Sequence, residues 1–293
     1  MRNFNTLLKP SSWMLGLASC LTMSLTAAPP VINDAELTKD LGDQIGAFVS
    51  DKKTRHTKEL SKQLARKSVA LALPKALKDS LKDIYSDRVG SVGIIASVYK
   101  CKKCPNWHRS GCATCWILTE DGVMVTNYHV FEGRSHDGFG VLTTDGKVAP
   151  VTEILAASKE DDIAIFRVDG AGYKPIPLGD AQKVGGEAHI IAHPDSRFFT
   201  YTGGEVSRYY RDRNKRDCYW MGVTAEYARG SSGGPVMDEA GNIIGMVSST
   251  NSIYYPPRKP GDKKGPFQMV IRNCVPVDQI RKLITKPEAS AKK

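Results

Sequence analysis

From Val89 onward the chain is a succession of short runs of β-branched and apolar residues, and this pattern constrains its fold more than any other feature. Each run has the length of a strand and is bounded by Gly, Pro, Asp or Asn, which favour turns. The first group comprises Val92–Tyr99, Trp116–Thr119, Val123–Thr126, Val141–Thr143, Val148–Leu155 and Ile163–Val168. The second group comprises Ala188–Ala192, Thr202–Ser207, Tyr219–Thr224, Pro235–Met237, Ile243–Ser249 and Gln268–Ile271. Two groups of about six strands predict an all-β fold of two six-stranded antiparallel barrels.

Residues 29–88 precede the predicted barrels and differ from them in character. Apolar side chains recur there at near-helical spacing between charged residues, which predicts an α-helical N-terminal segment. Pro74 opens the last of the predicted helices, which runs from Lys75 to Tyr85. A pro-segment, a clamp and an oligomerisation arm are all compatible with such a segment, and the oligomeric state stays open.

The C-terminal end carries one more helical pattern. Val277–Ile284 predicts a helix that closes a β domain of residues 89–286. Residues 287–293 are polar, and we expect them to form a disordered tail.

The N-terminus has the order of an export signal, with a basic head before an apolar-to-small run that stops at Pro29. This order predicts a secretory signal over residues 1–28, and hence an exported protein, periplasmic or secreted. The stretch from Leu17 to Cys20 also resembles a bacterial lipobox, so lipid attachment at Cys20 is an alternative to the favoured cleavage near Ala27. No other segment reaches about 18 uninterrupted apolar residues, so no transmembrane helix is expected.

Six cysteines follow the predicted signal: Cys101, Cys104, Cys112, Cys115, Cys218 and Cys274. An even number in an exported protein favours three disulfides, whose pairing the sequence does not give. The alternative is that the first four, two Cys-x-x-Cys pairs, hold one tetrahedral zinc ion. The gap between the pairs is shorter than in zinc ribbons, and an oxidising compartment removes the thiolates that zinc needs. Disulfides without a metal are therefore the favoured prediction.

Composition and charge exclude other classes of protein. With 41% hydrophobic and 25% charged residues, the chain is neither a disordered tail nor a membrane-filled protein. The formal net charge of +10 favours acidic surfaces without specificity. No nucleic-acid-binding motif accompanies the charge, so no nucleic acid partner is expected. Basic loops near residues 208–216 and 258–264 are predicted to be solvated.

Three polar segments lie where the two predicted barrels would present functional loops. His129 follows a strand, Asp162 precedes one, and Ser232 lies in the glycine-rich turn Arg229-Gly-Ser-Ser-Gly-Gly-Pro235. The chain order His, Asp, Ser is that of the chymotrypsin barrels. Each motif alone is weak, but the three together, in this order, predict a catalytic triad.

Each residue type suits one step of nucleophilic catalysis. The hydroxyl of Ser232 is a weak nucleophile and needs an adjacent base, which His129 would supply. Asp162 would fix the imidazole tautomer and stabilise the imidazolium. Gly230 allows the backbone conformation that directs its own N–H and that of Ser232 at one point, which would form an oxyanion hole.

On these motifs the chain resembles the trypsin-like (chymotrypsin-fold) serine peptidases, and most closely the bacterial HtrA/Deg-type branch. Trp116 to Val130 is similar to the strand–turn–strand of that branch before the catalytic His, and 241–245 to a turn of its second barrel. The resemblance implies His129 as general base, Asp162 as its orienting group and Ser232 as nucleophile. Only nine residues follow Ile284, so we expect no PDZ domain, and His193 stands where the branch usually has Gly.

The resemblance also implies a substrate pocket. It places Glu226 at the pocket base and Ser248, Ser249 and Thr250 on the strand that lines it. An acid at the base would favour Lys or Arg in the substrate, Thr250 would narrow the entrance, and Glu226 would equally pair with a nearby basic residue.

The favoured hypothesis is an exported serine endopeptidase that cleaves proteins or peptides through an acyl-enzyme without a cofactor, in envelope protein processing or quality control. The alternative is a non-catalytic peptide-binding module on the same fold. Labelling of Ser232 by a serine-directed fluorophosphonate separates the two hypotheses.

Overall fold

The computed structural model describes residues 31–101, 103–133, 135–211, 218–257 and 263–287. From Asn33 onward these residues form one compact unit. The export signal, the lipidation alternative at Cys20, most of both basic loops and all but the first residue of the predicted tail lie outside the described residues. Within the described part of the chain, no helix is long and apolar enough to cross a membrane.

The N-terminal segment contains three helices and one short strand: α1 (Asp34–Ser50), α2 (Thr57–Gln63), β1 (Val69–Ala70) and α3 (Ile84–Arg88). The side chain of Asn33 caps α1 by accepting a hydrogen bond from the Glu36 N–H. Leu41 and Ile45 on α1 are fully buried, and Leu60 on α2 is buried with them.

The helix predicted from Lys75 to Tyr85 is wrong except for its last two residues, which begin α3. The reason is a contact with the second half of the chain. The side-chain amide of Asn242 donates to the Leu77 carbonyl at 3.0 Å and accepts from the Leu77 N–H at 2.8 Å. The Leu81 N–H donates to the carbonyl of Glu239 at 2.9 Å. Backbone groups that a helix would pair internally are therefore bound to the body of the domain.

The first barrel follows this segment. Its strands are β2 (Val92–Lys100), β3 (Trp107–Arg109), β4 (Ala113–Ile117), β5 (Val123–Thr126), β6 (Gly138–Thr143), β7 (Val148–Ser158) and β8 (Ile163–Val168), with the short helix α4 (Tyr128–Phe131) after β5. Six of the strands follow the order β2-β4-β5-β8-β7-β6, and the pairing of β6 with β2 closes the barrel. The remaining strand, β3, pairs with the end of β2 as a hairpin.

The second barrel is closed and also has six strands. They are β9 (Glu187–Ala192), β10 (Thr200–Arg211), β11 (Tyr219–Val223), β12 (Pro235–Met237), β13 (Ile243–Tyr254) and β14 (Phe267–Pro276). Their order around the barrel is β10-β11-β14-β13-β12-β9. The predicted all-β architecture of two six-stranded antiparallel barrels with an N-terminal and a C-terminal helix is confirmed.

The closing helix is shorter than predicted. Helix α5 (Val277–Arg281) ends before Ile284, and β15 (Ile284–Thr285) pairs in parallel with β1. The Val69 N–H donates to the Leu283 carbonyl at 2.9 Å, which ties the N-terminal segment to the last strand. The backbone hydrogen bonds of this pairing replace the last turn that the helical pattern predicted.

Candidate active site

The imidazole of His129 and the carboxylate of Asp162 form a hydrogen-bonded pair between two elements of the first barrel. His129 lies in α4 directly after β5, and Asp162 immediately precedes β8. Atom Nδ1 of His129 lies 3.0 Å from Oδ1 and 2.9 Å from Oδ2 of Asp162. The backbone N–H of His129 also donates to Oδ1 at 3.1 Å. The carboxylate therefore fixes both the ring and the main chain of His129.

Asp162 is itself held in an uncommon conformation. Its φ is +58°, in the left-handed region that Asp adopts more readily than most residues. The side-chain amide of Asn127 donates to its carbonyl oxygen at 2.9 Å. The adjacent strands β5 and β8 thus bring the two predicted residues together.

Ser248 supplies a further hydrogen bond to this carboxylate. Its hydroxyl donates to Oδ2 of Asp162 at 2.7 Å across the boundary between the barrels. The sequence resemblance placed Ser248 in the substrate pocket. Three consecutive polar residues, Ser248 to Thr250, carry no signal of which hydroxyl faces Asp162, because only the register of β13 decides that.

Ser232 faces the same cavity as His129. The cavity has a volume of about 210 Å³, and both side chains line it together with Gly230 and Arg229. The hydroxyl of Ser232 donates to the Ser248 carbonyl at 3.3 Å. In this state the hydroxyl is occupied by a backbone acceptor beside the His–Asp pair.

The turn before Ser232 contains a glycine in a backbone conformation that other residues rarely adopt. Gly230 has φ +99°, and a Cβ there would overlap the carbonyl of His193. The hydroxyl of Thr114 donates to the Gly230 carbonyl at 3.0 Å, and the Thr114 N–H donates to the Ser232 carbonyl at 2.8 Å. Among the described residues, the N–H groups of Gly230 and Ser232 have no protein acceptor, so they are free to bind an anion.

His193, which departs from the resemblance, is a structural residue behind this turn. Its side chain is fully buried, and Nδ1 accepts a hydrogen bond from the Phe199 N–H at 3.0 Å. Burial lowers its pKa to about 4, so the imidazole is neutral at physiological pH.

The predicted pocket residues do not form a buried pocket. The carboxylate of Glu226 is 80% exposed and pairs with Arg272 of β14 at 2.8 Å, so an acid does not form a pocket floor. Ser249 and Thr250 are also exposed. Within the described chain, none of the four predicted pocket residues lines the cavity of Ser232 and His129. The basic residue that pairs with Glu226 is therefore Arg272 of β14.

Cys101, Cys104, Cys112, Cys115 and Cys274 carry free thiols in the structure, so among the described residues no predicted disulfide joins these five. Cys115 and Cys274 are fully buried, and burial raises the pKa of the Cys274 thiol to about 12. Cys112 contacts the Arg109 guanidinium, and burial raises the pKa of its thiol to about 11. Disulfide formation in the exported protein stays a prediction.

The four-cysteine zinc alternative is wrong in its choice of residues. Cys101 and Cys104 lie together, but the third member of their cluster is His108, and Cys112 and Cys115 lie elsewhere. Sequence reasoning missed His108, which stands four positions after Cys104, because the Cys101–Cys104 pair was matched with the second Cys-x-x-Cys pair.

Comparisons with known proteins agree with this geometry. Residues 113–246 match the family model described as a trypsin-like peptidase domain. This part of the chain is therefore similar to the trypsin-like peptidase domain. The matched segment includes β4 to β12 and contains all three predicted triad residues, His129, Asp162 and Ser232.

Curated proteins that are similar to this chain include DegP-like and HtrA-type serine proteases. A protein from Halomonas elongata named "Probable periplasmic serine endoprotease DegP-like" is 33% identical over 137 residues, which are 45% of this chain and 28% of that protein. "Protease Do-like 1, chloroplastic" from Arabidopsis thaliana is 28% identical over 50% of this chain and 34% of its own length. The chain therefore spans about a third of the length of these relatives.

Solved structures show the same fold. The HtrA-type protease AlgW with a tripeptide superposes with a TM-score of 0.54 at 20% identity, over 67% of this chain and 60% of that chain. AlgW with a decapeptide superposes with a TM-score of 0.53. The two-barrel peptidase fold is thus shared. The stretch that matches the family model begins after the segment before Val89 and after Cys101 and Cys104.

Proposed function

We propose that this chain is a serine endopeptidase that hydrolyses peptide bonds through an acyl-enzyme intermediate. The observation that carries the proposal is that His129, which is hydrogen-bonded to Asp162, lines one cavity with Ser232. The peptidase-domain match and the names of the relatives support the same reaction class.

In the proposed reaction, Nε2 of His129 takes the proton of the Ser232 hydroxyl as the oxygen attacks the substrate carbonyl. Asp162 keeps Nδ1 protonated and stabilises the imidazolium that forms, because it already accepts from Nδ1 at 2.9 Å. His129 then gives the proton to the leaving amine, and water releases the acyl group in a second, equivalent step.

The negative charge on the tetrahedral intermediate would be held by the N–H groups of Gly230 and Ser232. Both are available, and the turn is fixed by hydrogen bonds on each side, so little reorganisation accompanies the reaction. Thr114 of the first barrel makes two of those hydrogen bonds, which joins the turn to the barrel that carries His129.

We propose protein or peptide substrates and an exported, periplasmic location. One solved neighbour, AlgW, is described with a tripeptide and with a decapeptide, and two curated relatives are described as probably periplasmic. Export and a role in envelope protein processing or quality control belong to this proposal. Lipid attachment at Cys20 stays the alternative to cleavage near Ala27, and both positions lie outside the described residues.

One observation favours the alternative, a non-catalytic peptide-binding module. The Ser232 hydroxyl donates to the Ser248 carbonyl and not to His129. Hydrogen bonds between catalytic groups often tighten only in the complex with substrate, so this geometry alone does not decide between the two functions.

Labelling with a serine-directed fluorophosphonate tests the proposal. We expect the purified chain to be labelled at Ser232, as located by peptide mass spectrometry, and to cleave an unfolded protein substrate. The Ser232→Ala chain should lose labelling and roughly 10⁴- to 10⁶-fold in turnover. Ser252→Ala, an exposed serine on the same strand as Ser248, is the matched control and should label normally. Binding of peptides without labelling would favour the binding module.

A further inference from the structure

The turn between β2 and β3 gathers three side chains that ligate metals. Cys101 follows the last residue of β2, Cys104 lies in the turn, and His108 lies in β3. The two sulfur atoms are 3.4 Å apart, and Nε2 of His108 lies 2.9 Å from the Cys104 sulfur and 3.1 Å from the Cys101 sulfur. All three ligand atoms therefore converge on one point.

The backbone of the turn supports this arrangement independently. The N–H of Lys103 donates to the Cys101 sulfur at 3.4 Å. Hydrogen bonds of this kind stabilise the charged form of the acceptor, here a thiolate. The antiparallel pairing of Lys100 with Trp107 and of Tyr99 with His108 sets the register of the hairpin, so the positions of Cys101 and His108 on its two limbs are fixed.

We propose that Cys101, Cys104 and His108 bind one zinc ion. Two thiolates and one imidazole nitrogen form a donor set that Zn²⁺ prefers among divalent ions. Zinc bonds of about 2.3 Å to sulfur and about 2.0 Å to nitrogen, at tetrahedral angles, separate the ligand atoms by roughly 3.6–3.8 Å. The three atoms need to move apart by less than about 1 Å, which an exposed turn permits. Water would take the fourth position.

A Cys101–Cys104 disulfide is the competing use of the same residues. It would require the sulfur atoms to approach to about 2.0 Å, and it would leave His108 without a role. The imidazole nitrogen instead lies within hydrogen-bonding distance of both sulfur atoms, which is the position of a third ligand.

The zinc site would be coupled to the cavity of Ser232 by a continuous set of contacts. The ring of His108 stacks on Tyr99 at 5.5 Å between centroids, and Tyr99 stacks on His136 at 5.1 Å. Nδ1 of His136 lies 2.6 Å from the Ser97 hydroxyl, which lies 2.8 Å from the Ser110 hydroxyl. Ser97 and Ser110 both line the cavity, so the ion would stabilise one wall of it.

Metal analysis of the full chain tests this proposal without reference to peptidase activity. Protein isolated without chelator or reductant should contain about one zinc per chain by elemental analysis. Cobalt-substituted protein should show the thiolate-to-metal charge-transfer band of tetrahedral Co²⁺. The zinc affinity of Cys104→Ser and of His108→Ala should each fall at least roughly 10- to 100-fold. Loss of a group that only hydrogen-bonds to a metal ligand already reduces affinity by this much.

Cys112→Ser is the matched control, because this cysteine lies near the turn but contacts Arg109 instead of the cluster. It should keep its zinc and its cobalt spectrum. A Cys101–Cys104 disulfide found by mass spectrometry in metal-free protein, or zinc lost equally from Cys112→Ser, would overturn the proposal. If His108→Ala fails to fold, the conservative His108→Gln chain replaces it. A normal zinc content and cobalt spectrum in His108→Gln would also overturn the proposal.

Discussion

At the residue scale, the carboxylate of Asp162 contacts residues of both barrels. It accepts hydrogen bonds from the ring and the backbone of His129 on one side and from the Ser248 hydroxyl on the other. The chain order and the local motifs predicted His129 and Asp162 because each motif is a continuous stretch. The contact of Ser248 with Asp162 was missed because it spans 86 positions of sequence and depends on the register of a distant strand.

Ser248→Ala should lower the catalytic rate by positioning alone. A hydrogen bond to a charged group is worth about 1.5–3 kcal/mol, so we expect kcat to fall roughly 10- to 100-fold with little change in KM. Steady-state kinetics would measure kcat and KM separately. Ser248→Thr keeps the hydroxyl and should retain most of the activity; equal losses in both variants would contradict this role.

The buried imidazole of His193 makes stability depend on pH. Its pKa is lowered to about 4 by burial, whereas an unfolded histidine has a pKa of about 6.5. Between these values the unfolded chain binds a proton that the native chain does not, so stability falls as the pH drops from 6.5 to 4. The loss is on the order of 3 kcal/mol from this residue.

Guanidinium unfolding at pH 7 and pH 4.5 would measure this effect of His193. The control is His193→Asn, which keeps an acceptor for the Phe199 N–H but does not titrate in this range. The difference in free energy of unfolding between the two pH values should be smaller in the variant than in the natural chain. The same difference in both chains would show that His193 is not responsible.

At the element scale, the sequence predicted strands well where they bury both faces and poorly where they leave the core. Strands β5 and β8 occur at their predicted bounds. Strands β10 and β13 extend beyond theirs into exposed residues, because the hydrogen-bonded ladder continues after the apolar pattern stops. Strand β14 instead continues past its predicted end into buried residues, Cys274 to Pro276. Strand β3 was missed because its three residues show no alternation and form a strand through their hairpin with β2.

Two glycines on α1 provide a matched test of how this helix packs on the first barrel. A Cβ at Gly46 would overlap the ring of Trp107, whereas a Cβ at Gly42 would meet only the Cβ of Arg109, at 3.7 Å. Gly42→Ala should stabilise the protein by up to about 1 kcal/mol through helix propensity. Gly46→Ala should destabilise it by about 1–3 kcal/mol, because Trp107 must move. Chemical denaturation measures both; equal effects of the two substitutions would contradict the observed packing.

At the scale of the whole molecule, the segment before the barrels is part of the folded unit. Helix α1 packs against β2, β3, β6 and β7, and β1 pairs with β15 after the second barrel. The segment thus contacts both ends of the domain, as a clamp does. The helical spacing of its apolar residues predicted helices in this segment but not these contacts, because a two-residue strand leaves no periodic pattern.

Deletion of residues 31–66 distinguishes a clamp from a pro-segment. Loss of a clamp exposes the barrel surface under Leu41 and Ile45, so we expect a lower midpoint of thermal unfolding and no gain in peptidase activity. Loss of a pro-segment would instead raise activity and leave the fold stable. If the shortened chain does not fold, Leu41→Ala in the full chain should cost about 2–5 kcal/mol in stability. A stable, more active shortened chain would contradict the clamp.

The pairing of β1 with β15 has a consequence for how the protein is made. The partners are separated by some 216 positions, and a ribosome delivers residues in order. Helices α1 and α2 meet their barrel early in synthesis, but Val69 waits for its partner until Ile284 has emerged. His129 and Asp162 likewise wait for Ser232 and Ser248 from the second barrel. A growing chain that has not yet released Ser232 and Ser248 therefore holds an incomplete cleft, so the proposed peptidase activity would begin only after both residues have been synthesised.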